Sequence, residues 1–114
     1  MNVYDIANDL STALKNSEEY QSYQRAKEKL SGNPEHEKIV NQYMKKQMEL
    51  QTVQMLGQEI PENQIESFNK MTSSLMAIPE IADFFRAQML FGRMFEEVTK
   101  IITESIQMDF GFNR

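Results

Sequence analysis

Apolar residues recur along this chain at spacings of three and four, the period that puts them on one side of an α-helix. Val3, Ile6, Ala7, Leu10 and Leu14 form one narrow stripe and predict a first helix over residues 3–15. Ser17 is placed to cap a second helix, with Glu18 and Glu19 in its first turn, where carboxylates complement the helix dipole. That helix carries Tyr20, Tyr23, Ala26 and Leu30 and stops near Gly32. Asn33 then caps a third helix, and Pro34 occupies its first position. The third helix runs to about Leu56, with Gly57 as its stop and Ile39, Val40, Tyr43, Met44, Leu50 and Met55 as its stripe. Gln47, Gln51 and Gln54 lie on or beside that stripe, either at a solvated edge or as a hydrogen-bond ladder between helices or subunits. Pro61 opens a fourth helix with Ile65, Phe68, Met71, Leu75 and Met76 on one face. Pro79 predicts a break at Ile78, because the residue before a proline is pushed out of helical geometry.

The last helix, about residues 80–108, is apolar on more than one side. One face holds Ile81, Phe84, Phe85, Phe95, Val98, Ile102 and Ile106. A second cluster, Leu90, Met94, Ile101 and Met108, lies roughly opposite the centre of the first. Arg86, Arg93, Glu97, Lys100 and Glu104 share the remaining wedge, with Arg93–Glu97 and Lys100–Glu104 at the spacing of helical ion pairs. The apolar arc covers about 220°, where a one-sided surface helix shows something nearer 100°. A helix with two apolar faces must be covered twice. The first face is read as core. The second face, Leu90, Met94, Ile101 and Met108, is the candidate self-association interface, because soluble monomers avoid contiguous apolar patches. Gly92, in the middle of this helix, is read as a place where another helix approaches closely.

No period-two alternation, hairpin turn or internal repeat interrupts this pattern. The fold class is therefore all-α: four to five helices, a helical hairpin or bundle with a long C-terminal helix, in a single domain over residues 1–114. The composition agrees, with 40% hydrophobic and 25% charged residues and only 4 Gly and 3 Pro. Nine methionines suit adaptable, irregular packing surfaces.

Charge and residue inventory narrow the function. Twelve basic residues against 17 acidic ones give a net charge of −5. That sign opposes a phosphate backbone, so nucleic-acid binding is not expected. There is no cysteine, which excludes disulfides, thiol catalysis and zinc–thiolate sites. The N-terminus has no basic signal-peptide region, and the longest apolar run, Leu75 to Ile78, is far short of the roughly 20 residues of a membrane span. A cytoplasmic protein without membrane insertion is expected.

The one histidine, His36, stands between Glu35 and Glu37. It reads as an exposed polar helix start, with no second ligand at metal spacing and no nucleophile. Glu18-Glu19 and Glu96-Glu97 are adjacent on helices and point about 100° apart, so neither pair shares a proton. No phosphate-cradling glycine loop is present. The expectation is no catalytic, cofactor or metal residue, and no enzyme.

The stretches "NVYDIANDLSTALKNSEEYQSYQRAKEKL", "QMELQTVQMLGQEI" and "IPEIADFFRAQMLFGRMFEEVTKII" resemble the YlbF/YmcA/YheA family of small helical proteins of Gram-positive bacteria, most closely its YheA-like branch. The resemblance spans nearly the whole chain, although the ending "ESIQMDFGFNR" departs from the Pro-containing ending of the family. It implies an all-helical fold and homo- or hetero-oligomers. Two members of the family are regulatory partners that, with a third protein, influence competence, sporulation and biofilm formation through an RNA-processing nuclease. No catalytic residue carries over. Residues and resemblance together predict a non-enzymatic helical module that self-associates as a dimer or higher oligomer and binds a heterologous protein partner. The alternatives are a nucleic-acid-associated regulator and a small-ligand-binding helical protein.

Overall fold

Five α-helices make up the chain in the computed structural model, which describes residues 1–106: α1 (Val3–Lys15), α2 (Glu18–Ser31), α3 (Pro34–Met55), α4 (Glu62–Met76) and α5 (Pro79–Ser105). No strand occurs among the described residues. Most of the predicted boundaries hold because local chemistry sets them; the exception is the end of α5, which stops at Ser105, short of the predicted 108. Asn2 caps α1, its side chain accepting from the Tyr4 N–H at 2.8 Å and the Asp5 N–H at 3.3 Å. Ser17 serves two helices at once. Its hydroxyl donates to the Leu14 carbonyl at 2.6 Å at the end of α1 and accepts from the Tyr20 N–H at 3.1 Å at the start of α2. Asn33 caps α3, accepting from the His36 N–H at 3.2 Å, with Pro34 next in the chain.

Gly57 ends α3 with a φ of 76°, in the left-handed region that favours glycine. Around it the Gln58 N–H reaches the Val53 carbonyl and the Gly57 N–H reaches the Gln54 carbonyl. Those two bonds form a Schellman motif and satisfy carbonyls that the helix end would leave open. Pro61 opens α4 as its cap residue, and it supplies no side-chain cap bond.

The packing falls into two units. One comprises residues 25–85, and the other residues 1–24 with residues from 86 onward. The division cuts within α2 and within α5. The 25–85 unit contains every buried side chain among the described residues: Leu30 of α2, Val40, Tyr43 and Leu50 of α3, Leu75 of α4, and Ile81 and Phe84 of α5. Tyr43 is the hub of this core. Its ring stacks on Phe68 at 4.9 Å and meets the edge of Phe85 at 5.5 Å. Such aromatic pairs add to what area burial alone supplies.

The 1–24 and 86–106 unit is held differently. Phe91 is its anchor, meeting Tyr20 edge-on at 5.1 Å and lying nearly parallel to Tyr23 at 6.3 Å. The Tyr20 hydroxyl accepts from the Gln24 side chain at 2.7 Å, which fixes the ring. No described residue of this unit is fully buried.

Candidate interaction surface

The unit of residues 1–24 and 86–106 is where the sequence placed its candidate interface, and it leaves much apolar surface open. In α1 only Leu10 and Leu14 of the predicted stripe are half-buried. Val3, Ile6 and Ala7 are exposed, and Tyr4 beside them is 80% exposed. The spacing of the stripe identified the apolar face of α1, but not that its first two turns are left exposed.

In α5 the half-buried residues of this unit include Ala87, Phe91, Met94 and Val98, spaced four, seven and eleven from the first. They form one ridge, as that spacing requires. The two flanks of the ridge are open. Leu90 and Ile101 lie on one side, Ile101 at 67% exposure. Phe95, Ile102 and Ile106 lie on the other, Phe95 at 53%.

This corrects the sequence reading in two places. Phe95, Ile102 and Ile106 are not core; the core part of that face ends in the first turns of α5, at Ile81 and Phe84. Met94, predicted on the interface, sits on the ridge that packs within the chain. Both errors have one cause. Periodicity locates an apolar arc but not which line along it the neighbouring helices cover, and Tyr20 and Tyr23 cover the line through Phe91. Of the predicted interface residues, Leu90 and Ile101 are exposed, Met94 is half-buried, and Met108 lies outside the described residues.

At Gly92 a built Cβ would meet nothing within 4 Å, so among the described residues no helix of the same chain makes the expected close approach. Of the two predicted ion pairs in the polar wedge, Lys100 and Glu104 approach to 3.8 Å on the surface. Arg93 and Glu97 form no such pair among the described residues.

Two further places bear on function. Gln47, Gln51 and Gln54 are exposed and line a groove of about 270 Å³ with Leu50, Ile60, Ile65 and Phe68. No hydrogen bond joins the three amides among the described residues. His36 is not the exposed helix start that its acidic neighbours implied. It is half-buried, and its Nδ1 lies 3.4 Å from Glu80 Oε2 and 3.1 Å from Asn33 Nδ2. The sequence could not place Glu80 there, because the two residues are 44 positions apart. Among the described residues, no group of three or more His, Cys, Asp or Glu side chains is arranged to hold a metal ion. No described helix is long and apolar enough to cross a membrane.

A family model described as control of competence regulator ComK, YlbF/YmcA, matches residues 3–107. The chain belongs to this family. It is 36% identical over 112 residues to a UPF0342 protein of Symbiobacterium thermophilum, an alignment covering 98% of this chain and 100% of the relative. Among solved structures it is similar to a protein of unknown function (DUF964) from Bacillus stearothermophilus, with a TM-score of 0.80, 21% identity, and coverage of 96% of this chain and 97% of that one. It is also similar to a chain of the crystal structure of Bacillus subtilis RicA in complex with RicF, with a TM-score of 0.59, 22% identity, and coverage of 88% and 89%. At those identities the solved structures speak to the fold, which is all-helical as the sequence predicts.

Proposed function

We propose that this protein is a non-enzymatic helical interaction module of the YlbF/YmcA family, within its YheA-like branch, that self-associates through the open faces of α1 and the second half of α5. One observation carries the reading. Among the described residues, the unit of residues 1–24 and 86–106 buries no side chain fully, while Val3, Ile6, Leu90, Phe95, Ile101 and Ile102 stay exposed on it. Ordering a backbone residue costs about 1–2 kcal/mol, and burial of apolar side chains is the main term that offsets it. A helical unit without a buried core gains that burial by docking on another protein surface. A second copy is the occupant that is always present, and a two-fold interface counts each contact twice.

A heterologous partner is the second reading. It is favoured by the similarity to a chain of the crystal structure in which RicA is in complex with RicF. Cytoplasmic residence and regulation, rather than catalysis, accompany both readings.

The test is mass by light scattering across a dilution series, with helix content by circular dichroism. The wild type is expected to run at twice the 13.4 kDa of one chain or more. Ile101→Glu is expected to lower that mass while helix content holds. A wild type that stays at single-chain mass at high micromolar concentration rejects self-association and leaves the heterologous reading standing.

A further inference from the structure

The groove between the second half of α3 and the first half of α4 sets a row of amides beside an apolar floor. Leu50 and Phe68 form the floor, with Ile60 from the connecting loop and Ile65 from α4. Leu50 is buried, Phe68 and Ile60 are half-buried, and Ile65 is 43% exposed. Gln47, Gln51 and Gln54 line the α3 side, at spacings that put them on one face of the helix. Their side chains are exposed and make no hydrogen bond among the described residues. No charged side chain lines the groove, although 25% of the chain is charged.

This lining selects among ligands. A glutamine amide offers a donor and an acceptor side by side. The backbone of an extended chain offers the matching pair along its edge. Gln47 and Gln51 stand about 6 Å apart along α3, at about 1.5 Å per residue. An extended chain repeats each edge every two residues, about 6.6 Å. A helical ligand has already paired its backbone groups, so it would strip water from the amides and replace nothing. A charged side chain would meet no opposite charge, and burying one unpaired is costly. The volume of about 270 Å³ lies below the roughly 300 Å³ at which pockets for drug-sized molecules begin. It suits a side chain, not a whole small molecule. A second copy offers no suitable segment among its described residues. They are helical apart from short connections, and the longest of these, residues 56–61, already gives Ile60 to the groove.

We propose that this groove receives a short extended segment of another protein, uncharged over about four residues, the length that spans the glutamine row. One large apolar side chain lies on the floor, and the backbone edge pairs with Gln47, Gln51 and Gln54. Every lining residue belongs to the 25–85 unit. The site therefore shares no residue with the open faces of α1 and α5, and it stands whether or not those faces self-associate.

The test is selection of a displayed library of random octapeptides on the full chain. Enriched sequences are then synthesised with blocked ends and titrated by fluorescence polarisation. The expected winners share an uncharged core with one aromatic or large aliphatic residue. Ile65→Glu should weaken their binding by about tenfold or more, and Gln47→Ala with Gln51→Ala by about tenfold, the size of two lost hydrogen bonds. Both variants should keep the helix content of the wild type, since all three positions are exposed. Lys70→Ala, on α4 outside the groove, should bind as the wild type does. No enrichment over the Ile65→Glu chain overturns the proposal. So do winners with a charged core, indifference to the double glutamine variant, or helical contacts in the spectrum of a labelled bound peptide. Displacement of the winners by a synthetic peptide of residues 107–114 also overturns it, because the groove would then belong to the chain's own end.

Discussion

Tyr43 donates its hydroxyl proton to Thr72 Oγ1 across the α3–α4 contact, at 3.0 Å. The direction follows from counting protons. Thr72 has one hydroxyl hydrogen, and it goes to the Phe68 carbonyl at 2.9 Å. Its oxygen is left as an acceptor, and Tyr43 supplies the donor. The Tyr43 side chain is buried, with its ring stacked on Phe68, and the bond is partly buried.

Tyr43→Phe should therefore keep the ring packing and lose one hydrogen bond, at a cost of about 1 kcal/mol. Thr72→Val should cost a similar amount. Because both variants remove the same bond, the double variant should cost less than the sum of the singles. Chemical denaturation of the three variants measures this, and strict additivity would show that the bond contributes nothing.

Gly57→Ala isolates backbone strain from packing. A Cβ there meets nothing within 4 Å, so there is no clash to relieve. The φ of 76° is the whole effect. A left-handed residue other than glycine costs roughly 1–2 kcal/mol, so thermal unfolding should drop by several degrees. An unchanged midpoint would mean that the end of α3 has another conformation in solution.

Asn33→Ala removes the cap of α3 and the donor facing His36 together. Loss of a cap costs about 1 kcal/mol. Asn33→Ser restores a capping oxygen without the amide nitrogen, and it should recover most of the loss in a denaturation experiment. A serine variant as unstable as the alanine one would assign the effect to the Asn33–His36 contact instead.

Much of the fold was legible because its punctuation is local. Ser17, Asn33, Pro34, Gly57 and Pro79 act on backbone within a few residues of themselves, so helix ends follow from residue type and spacing. The candidate surface was only half legible. Spacing gave the apolar arc of α5 and the stripe of α1. It did not reveal that Tyr20 and Tyr23 would cover the line through Phe91, because that choice depends on how α2 meets α5. For the same reason Met94 was placed on the open surface and Phe95 in the core. The His36–Glu80 contact was not legible at all, since nothing local to either residue points to the other. Family membership reinforced the helical fold but named no contact.

The contrast between Phe91 and Phe95 tests this reading of α5 most directly. The two are four residues apart and identical in chemistry, and their rings lie 6.4 Å apart. Periodicity alone favours Phe95 as the core residue. The structure reverses that: Phe91 packs on two tyrosines, whereas Phe95 is 53% exposed. Phe91→Ala should therefore destabilise the chain by about 2 kcal/mol, below the 3–5 kcal/mol of a fully buried phenylalanine because Phe91 is half-buried. Phe95→Asp should leave helix content and the denaturation midpoint of the dilute protein nearly unchanged, and lower the mass seen by light scattering at high concentration. A Phe95→Asp variant that unfolds when dilute, with Phe91→Ala nearly neutral, would return Phe95 to the core and place the open face of α5 elsewhere.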